Sequence, residues 1–382
     1  MNVLIQLSHP AQYHSFKNVA RNLMNDGHQV LVVIKSKDIL EDLLKEAGLP
    51  YVNVNEHAHR GSQLGVLWDM FVRELRMVRL CRKHKIDLLM GSTPEVAHVG
   101  WFLRKYRVNI GEDDAAILSN FIKLTKSFVQ TYLAPESCDM GVIEHKTVHY
   151  RGFQKLAYMH PNWFKADADV VRKYGINLDE PYFLIRFAKL NAHHDSGVSG
   201  ISTDIARRLV ELLSPHGKIY ITSERALEPE FEQYRLHINP LDIHHVMAFA
   251  TLYIGDSQSM ANEAAMLGVP SLRFNDFVGA KKIGVMEEME KVYGLTYGIS
   301  SKEPEKLYAK VEELLAMDDG VQCTVYSVRN GSALREEFQK RREKMLGDKI
   351  DVTAFLTWFI EHYPESAQEA KNADTDFWKQ FK

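Results

Sequence analysis

The stretch IGDSQSMANEAAMLGVPSLRFND, at residues 254–276, decides the fold. An apolar run that ends at Gly255 predicts a buried strand, small polar residues predict a tight loop, and the pattern from Met260 predicts a helix. Gly268 and Pro270 end this helix and lead into a second apolar run, which predicts the next strand. A strand, a helix and a strand in this order are typical of a βαβ unit on a parallel sheet.

The loop of this unit has a composition that suits phosphate binding. The loop and the first helical turn contribute Asp256, Ser257, Ser259 and Met260. Free N–H groups and the positive end of the helix dipole suit a diphosphate at such a point, and serine hydroxyls add donors. Glu263, one turn further along, is placed to accept hydrogen bonds from two vicinal hydroxyls, as on a ribose. An ordinary capped helix with Glu263 facing solvent is the alternative.

The same alternation of apolar runs and helical patterns extends outward over most of the chain. It predicts strands at residues 2–7, 30–34, 51–54, 86–91, 108–111 and 128–134, and a second set at 182–188, 218–223, 252–257 and 270–274. The pattern breaks between residues 138 and 161, which predicts a crossing between domains. We therefore predict an α/β fold with two Rossmann-like doubly wound domains. The predicted ranges are 1–160, 161–340, and 341–382 for a helical tail that packs back on the first domain.

Composition limits the classes of function. The chain has 382 residues, which favours two domains, and 45% hydrophobic with 25% charged residues are typical of soluble globular proteins. The net charge of −3 argues against nucleic acid as a partner. Cys81, Cys138 and Cys323 are too far apart for a paired-thiolate site, and the N-terminal stretch does not resemble a signal peptide. We expect a cytoplasmic protein.

Residues 254–276 resemble, nearly position by position, the nucleotide-binding segment of two-domain GT-B enzymes. These include the non-hydrolysing UDP-N-acetylglucosamine 2-epimerases and the UDP-sugar glycosyltransferases. More closely, the chain resembles the DUF354 family of GT-B-like proteins through HPAQYHSFKN at 9–18, RGFQKLAYMHPNWF at 151–164 and IGVMEEMEKVYGL at 283–295. The resemblance implies a GT-B fold, with domains facing across a cleft, and nucleotide-sugar chemistry. In GT-B enzymes the small polar loop holds the donor phosphates and the glutamate that matches Glu263 holds the ribose.

Further polar residues follow or end strands of the second predicted domain. They are Arg186, Ser223, Glu224 and the pair His244 and His245, of which His245 is predicted to contact the donor. A buried arginine on an apolar strand needs an anionic partner, which either a donor diphosphate or a structural salt bridge supplies. His193, His194 and Asp195 suggest metal ligands, but adjacent histidines on a polar loop diverge easily. We predict no metal and no tightly bound cofactor, with a UDP-sugar as the donor substrate.

The loop after the first strand, SHPAQYHSF at residues 8–16, supplies candidates for a general base. It opens into the crevice where open α/β sheets bind ligands, and an imidazole there is able to take a proton from an acceptor hydroxyl. The segment PAQYH is similar to the P-x-x-G-H loop of small-molecule glycosyltransferases, whose histidine is the base, with Tyr13 in place of the glycine. The candidates are therefore His14 and His9, although His14 as the cap of a helix beginning at Ser15 is an equal alternative.

Three adjacent carboxylates, Glu112, Asp113 and Asp114, follow the fifth predicted strand. Capping of a following helix accounts for them without any catalytic role. The alternative is that a carboxylate at this strand end orients His14 or replaces it as the base.

Departures from the epimerase pattern decide between two reactions. The epimerases have T-R-P-E after the first strand and an acid in a G-D-T turn after the fourth, whereas this chain has SHPA at residues 8–11 and Ser92. Their doubled glutamate is Asn262 and Glu263 here. We therefore predict a glycosyltransferase that acts on a glycan or lipid-linked acceptor. The alternatives are an epimerase-like isomerase and a non-catalytic nucleotide-sugar-binding protein.

Two basic stretches with apolar neighbours, WFLRKYR at 101–107 and EEFQKRREKM at 336–345, are compatible with peripheral contact to an anionic membrane surface. Solvated helix faces are the simpler explanation of both stretches. The oligomeric state does not follow from the sequence.

Overall fold

The computed structural model describes residues 1–35, 40–54, 63–188, 200–279, 283–319 and 332–382. These residues divide into two compact units. Unit 1 consists of Met1–Trp163 and Lys349–Lys382, and unit 2 consists of Phe164–Asp348. His193, His194, Asp195 and Cys323, which the sequence singled out, lie outside the described residues.

A parallel sheet forms the centre of unit 1. Its strands are β1 (Asn2–Leu7), β2 (Gln29–Ile34), β3 (Tyr51–Asn53), β4 (Leu88–Gly91), β5 (Tyr106–Ile110), β6 (Thr131–Pro135) and β7 (Thr147–Tyr150). They pair in the order β3-β2-β1-β4-β5-β6-β7, each in parallel with its neighbours. The strand order reverses between β1 and β4, and ligands of open α/β sheets bind beyond the carboxyl ends of strands at such a point.

Unit 2 has a second parallel sheet of the same kind. Its strands are β8 (Tyr182–Phe187), β9 (Lys218–Ser223), β10 (Leu252–Gly255), β11 (Ser271–Phe274) and β12 (Thr296–Ile299). They pair in parallel in the order β12-β11-β10-β8-β9, so the order reverses between β8 and β10. The predicted α/β fold with two Rossmann-like parallel sheets is confirmed.

Helices connect and cover the strands of both sheets. In chain order they are α1 (Pro10–Asn25), α2 (Leu40–Glu46), α3 (Gln63–Lys83), α4 (Pro94–Leu103), α5 (Ser119–Thr125), α6 (Leu156–Met159), α7 (Ala168–Arg172), α8 (Thr203–Leu213), α9 (Ile243–Phe249), α10 (Gln258–Met266), α11 (Gly284–Lys291), α12 (Pro304–Asp319), α13 (Ala333–Asp348), α14 (Val352–Glu361), α15 (Glu365–Lys371) and α16 (Thr375–Lys379). Within the described ranges, none of these helices combines the length and hydrophobicity needed to cross a bilayer.

Small residues allow helix α10 to pack closely against the second sheet. Ala261, Ala264 and Ala265 are fully buried, and Ser271 Oγ of β11 donates a hydrogen bond to the Ala261 carbonyl at 2.8 Å. A helix with alanines on its sheet-facing side approaches the strands more closely than one with large side chains. This packing fixes the N-terminus of α10 beside the carboxyl end of β10.

Helix α1 begins at Pro10, earlier than the predicted start at Ser15. His9 is the N-cap residue, and its Nδ1 accepts a hydrogen bond from the Ala11 N–H at 3.2 Å. A proline is favoured at the first position of a helix because its missing N–H is not needed there. His14 therefore lies within the helix, and the prediction that it caps the helix is wrong.

The stretch at residues 138–161 does not break the α/β pattern. It contains β7, which pairs with β6, and the short helix α6, so it completes unit 1 where the sequence predicted a crossing between domains. The chain enters unit 2 after Trp163.

The C-terminal part of the chain, where the sequence predicted a helical tail at residues 341–382, consists of several separate helices. Helix α13 ends at Asp348 in unit 2, and Asp351 then caps α14, with its Oδ1 accepting from the Ala354 N–H at 3.1 Å. Helix α14 packs against α1 of unit 1. The expectation that a C-terminal helix packs back on the first sheet unit is confirmed, but the basic helix α13 stays with unit 2.

Candidate functional site

A row of residues crosses the second sheet at the point where its strand order reverses. Gly255, the last residue of β10, is in register with Arg186 of β8 on one side and with Arg273 of β11 on the other. Thr222 of β9 is in register with Arg186 and extends the row. Side chains in register on neighbouring strands share one face of the sheet. We call Thr222, Arg186, Gly255 and Arg273 the polar row.

The glycine in the polar row makes room for a tyrosine. A Cβ atom at Gly255 would lie 2.5 Å from the hydroxyl oxygen of Tyr253, so a larger residue at this position would collide with the ring. Tyr253 is fully buried, and burial raises the pKa of its phenol well above the ordinary value. The phenol therefore stays neutral and is able to donate one hydrogen bond within the polar row.

Several buried polar atoms in and beside the polar row have no hydrogen-bond partner among the described residues. They are Arg186 Nε, Thr222 Oγ1, Tyr253 Oη, Asn262 Oδ1 and Arg273 Nε. Buried polar atoms are normally paired, since leaving one unpaired costs about 1–3 kcal/mol. A concentration of such atoms at the reversal point of a parallel sheet is suited to a polar ligand, and the two guanidinium groups favour an anionic one.

The two arginines of the polar row differ in their protein partners. Arg186 Nη2 donates to Glu224 Oε1, so the structural salt bridge considered from the sequence is present. Arg273 is only 5% exposed, and burial lowers the pKa of its guanidinium. Its Nη1 donates to Gln258 Oε1, on the first residue of α10, at 3.1 Å. Sequence reasoning missed Arg273, although it belongs to the quoted stretch PSLRF.

Two residues of the predicted phosphate loop have structural roles. Ser257 is the N-cap of α10, and its Oγ accepts from the Met260 N–H at 3.4 Å, which leaves the hydroxyl hydrogen able to donate to a ligand. Asp256 accepts from the N–H groups of Ala188 at 2.6 Å and Ile201 at 3.4 Å, and burial raises the pKa of its carboxyl. Asp256 therefore shapes the loop, whereas Ser259 is exposed on the first turn of α10.

Glu263 is buried, with an exposed fraction of 7%, so the alternative in which it faces solvent is wrong. Its Oε2 lies 3.3 Å from Nε2 of His244, which is also buried and comes from the start of α9. A histidine beside a buried carboxylate holds the carboxylate in one orientation. The pair places an oriented acceptor one turn into α10.

The remaining predicted donor residues lie at the end of β9 and on α9. Ser223 forms a local turn, in which its Oγ donates to the Arg225 carbonyl at 2.7 Å, and Glu224 pairs with Arg186. His245 accepts from the Asp167 N–H at 3.0 Å through Nδ1, and its ring centroid lies 4.9 Å from that of Phe164. The structure thus brings His244, and not the favoured His245, to Glu263.

Unit 1 repeats the arrangement with neutral residues. Gly91 ends β4 and is in register with Gln6 of β1 and Asn109 of β5, both of them buried. Asn109 Nδ2 donates to the carbonyls of Gly91 at 3.3 Å and Thr93 at 3.1 Å. The reversal point of the first sheet is therefore polar but uncharged, which favours a neutral ligand such as a sugar or alcohol over a phosphate.

His14 lies on the second turn of α1 and contacts α6. Its ring centroid is 5.3 Å from that of Tyr158, a residue of α6. Lys155, directly before α6, pairs with Glu112 at the carboxyl end of β5. Two of the four predicted catalytic residues, His14 and Glu112, are thereby tied to the same short helix. His9 caps α1 and is exposed, and Asp113 lies beside Glu112 after β5.

The carboxylates after β5 do not cap a helix, which corrects the simpler explanation drawn from the sequence. Helix α5 begins at Ser119, with Leu118 at the cap position and no side-chain cap. Asp114 Oδ1 instead accepts from the Asp139 N–H at 2.9 Å. Glu112 accepts from Lys155, and the Glu112 carbonyl accepts from Cys138 Sγ at 3.2 Å.

Breaking the Glu112–Lys155 pair is expected to destabilise unit 1. Lys155→Met leaves the half-buried carboxylate of Glu112 without its ammonium partner, and we expect the free energy of unfolding to fall by about 1–3 kcal/mol, because a hydrogen-bonded charge loses its partner. Urea denaturation measures the change. The double variant Glu112→Gln/Lys155→Met removes both charges and should recover most of the loss, and equal losses in both variants would contradict the assignment.

Across the described part of the chain, no group of three or more His, Cys, Asp or Glu side chains is arranged to hold a metal ion. In unit 2 the candidate partners of the anionic ligand that the polar row suits are two guanidinium groups, the N-terminus of α10 and hydroxyl groups.

Comparison with known proteins gives a family and a fold. A family model described as a protein of unknown function, DUF354, matches residues 1–281. No curated protein sequence matches the chain. UDP-GlcNAc 2-epimerase from Neisseria meningitidis, solved bound to UDP-GlcNAc, has a similar structure with 13% identity and a TM-score of 0.63, over 90% of this chain and 100% of that chain.

Two further solved structures extend this likeness to other enzymes. UDP-GlcNAc 2-epimerase from Methanocaldococcus jannaschii is 14% identical, with a TM-score of 0.58 over 89% of this chain and 99% of that chain. The spinosyn rhamnosyltransferase SpnG, complexed with thymidine diphosphate, is 15% identical, with a TM-score of 0.59 over 94% of this chain and 99% of that chain. These likenesses confirm the predicted GT-B fold.

Proposed function

This chain belongs to the DUF354 protein family, and we propose that it is a GT-B glycosyltransferase. In this proposal it transfers a sugar from a UDP-sugar to a hydroxyl group of a glycan or lipid-linked acceptor. The observation that carries the proposal is the polar row of unit 2, where buried donors without partners among the described residues lie beside the N-terminus of α10.

The proposed donor site uses the charges of unit 2. Arg186 and Arg273 neutralise the diphosphate, and the Ser257 hydroxyl and the free N–H groups at the start of α10 donate to its oxygens. Glu263, oriented by His244, accepts hydrogen bonds from the ribose hydroxyls. In the transfer step UDP leaves with the electrons of the sugar–phosphate bond, so positive groups held at the diphosphate stabilise the charge that develops there.

The proposed acceptor site uses the neutral reversal point of unit 1. The imidazole of His14 takes the proton of the acceptor hydroxyl while the acceptor oxygen forms a bond to the anomeric carbon of the sugar. Glu112 is the second candidate for this role, because it pairs with Lys155, directly before α6, and His14 contacts Tyr158 of the same helix. Asp113 and His9 are the remaining candidates.

Product analysis with a panel of UDP-sugars tests the proposed reaction. The protein is incubated with each UDP-sugar, with and without extracted glycolipids and oligosaccharides, and free UDP and product masses are followed. A glycosyltransferase releases UDP in proportion to acceptor and increases the mass of the acceptor by one sugar residue. UDP release that does not depend on any acceptor would contradict transfer.

A 2-epimerase-like isomerase is the second candidate, and the similarity of the fold to two UDP-GlcNAc 2-epimerases supports it. The replacement of the acidic G-D-T turn by Gly91, Ser92 and Thr93 disfavours it, since elimination and re-addition of UDP need acids and bases at the sugar. In the same assay an isomerase converts UDP-GlcNAc to its C2 epimer without an acceptor, which proton NMR detects.

A further inference from the structure

Unit 1 has an exposed apolar surface that the proposed reaction does not use. Trp68 and Phe71 of α3 are 59% and 48% exposed, and Trp101 and Phe102 of α4 are 53% and 62% exposed. Together with Leu75, these four residues form what we call the α3–α4 surface. The surface borders a groove of about 320 Å³, whose floor includes Val78, Val99 and Phe128. Contiguous exposed apolar side chains of this size mark an interaction site.

The exposed charges around this surface are basic. The acidic residues within α3, α4 and α5 are Asp69, Glu74 and Glu95, of which Asp69 and Glu95 are buried. Exposed basic side chains lie along α3, after α4 and on or after α5, at Arg79, Arg82, Lys83, Arg104, Lys123 and Lys126. Arg79 follows Leu75 by one helical turn, and Arg82 follows Val78 in the same way, so these two cations continue the apolar stripe of α3.

The one acidic side chain of the groove is matched by a histidine. Glu74 Oε1 lies 2.6 Å from His98 Nδ1, and this hydrogen bond raises the pKa of His98. Glu95, on the inner side of α4, accepts from Arg73 Nε at 2.7 Å. Both carboxylates of the α3–α4 contact are therefore compensated within unit 1, and the exposed charged side chains of these two helices are basic.

We propose that the α3–α4 surface docks unit 1 onto an anionic phospholipid surface. Tryptophan and phenylalanine enter the interfacial layer of a bilayer, while arginine and lysine around them attract anionic headgroups. A second copy of the chain fits less well, because a symmetric dimer through this surface would bring two basic borders together. The proposal is independent of the reaction at the polar row.

The second basic stretch from the sequence, residues 336–345, does not contribute to this surface. It lies in α13 of unit 2, where Phe338 and Met345 are buried. Arg342 Nε donates to the Met266 carbonyl at 2.8 Å, and Arg341 Nη1 donates to the Gly294 carbonyl at 2.7 Å. These arginines hold α13 against its own unit, so of the two basic stretches only residues 101–107 contribute to the proposed membrane contact.

Vesicle flotation tests the proposal with the full chain. We expect the protein to float with mixed phosphatidylcholine–phosphatidylglycerol vesicles at low salt and to remain unbound with phosphatidylcholine alone. Trp101→Ser/Phe102→Ser should weaken binding by about tenfold or more, because it removes the apolar insertion. Arg79→Gln/Arg82→Gln should weaken vesicle binding by about 25-fold, because each basic residue near the membrane surface contributes about fivefold in affinity.

Matched controls separate membrane docking from misfolding and from dimerisation. Val142→Ser changes a residue that is 68% exposed elsewhere on unit 1, and it should bind vesicles as the unchanged protein does. Circular dichroism checks that all variants are folded. The proposal is overturned if the unchanged protein fails to float with anionic vesicles, if Val142→Ser loses as much binding, or if light scattering shows a dimer that Trp101→Ser/Phe102→Ser dissociates.

Discussion

His14→Ala lowers turnover by about 10²–10⁴-fold and leaves the affinity for UDP unchanged, if the imidazole is the general base. The two effects should separate because His14 and the donor-binding residues belong to different units. His14 belongs to α1 of unit 1 and contacts Tyr158, whereas every residue assigned to the donor belongs to unit 2. Steady-state kinetics with a saturating acceptor measures the turnover, and calorimetry with UDP measures the affinity.

His9→Ala is the matched control within the same loop. His9 Nδ1 caps α1, so its loss should lower the free energy of unfolding by about 0.5–2 kcal/mol with little effect on turnover. A variant of His14 that keeps full turnover would transfer the role of base to Glu112. Glu112→Gln should then show the loss expected here for His14.

Glu263→Ala weakens UDP binding by about 1.5–3 kcal/mol, which is about 10- to 150-fold in the dissociation constant. A buried carboxylate that accepts hydrogen bonds from ribose hydroxyls has no replacement among neighbouring groups when it is truncated. His244, 3.3 Å from Glu263, loses its carboxylate partner in the same variant. Titration calorimetry at constant pH gives the change in affinity.

Two comparisons make this result specific. Ser259→Ala alters an exposed residue on the first turn of α10, and its effect on UDP affinity should stay within about threefold, since the backbone N–H groups remain. Thermal unfolding of Glu263→Ala without nucleotide checks that α10 is still in place. Equal affinity of Glu263→Ala and the unchanged protein would rule out the ribose assignment.

The donor side of the fold was predictable because its signals are local. The stretch at residues 254–276 contains its own cap and helix end, and the structure forms the end of β10 and the whole of α10 and β11 within it. The boundaries of β9 also match the predicted strand at residues 218–223, since this is a short segment with a uniform apolar pattern. Local composition is sufficient where neighbours in sequence are also the packing partners.

Predictions failed where distant residues decide the outcome. The four-residue strand β7 has too short a pattern to recognise, and it exists because β6 offers it a parallel edge. The start of α1 at Pro10 was missed because the helix was expected to begin at Ser15, whereas its cap is His9, which precedes a proline at the first helical position. The break between α13 and α14 follows from Asp351, whose capping role a continuous apolar and basic pattern concealed.

Arg273 shows the same limit within the candidate site. On the sequence it is one charged residue in a short apolar strand. Its importance appears only when β10 and β11 pair, because the pairing puts it beside Gly255 and across from Arg186. An arginine in a four-residue strand next to a glycine-ended strand is the signal that was available.

Nucleotide binding without added metal tests the central claim most directly. Thermal unfolding of the full chain is measured with UDP, uridine, other nucleoside diphosphates and UDP-sugars in buffer containing a chelator. A ligand that binds only the folded state raises the melting temperature, and the increase grows with the ratio of ligand concentration to dissociation constant. The polar row predicts that UDP raises the melting temperature clearly and that uridine raises it less. In Arg273→Met, UDP and uridine should raise the melting temperature by similar amounts. No increase with any nucleoside diphosphate or UDP-sugar would contradict a nucleotide-sugar site in unit 2.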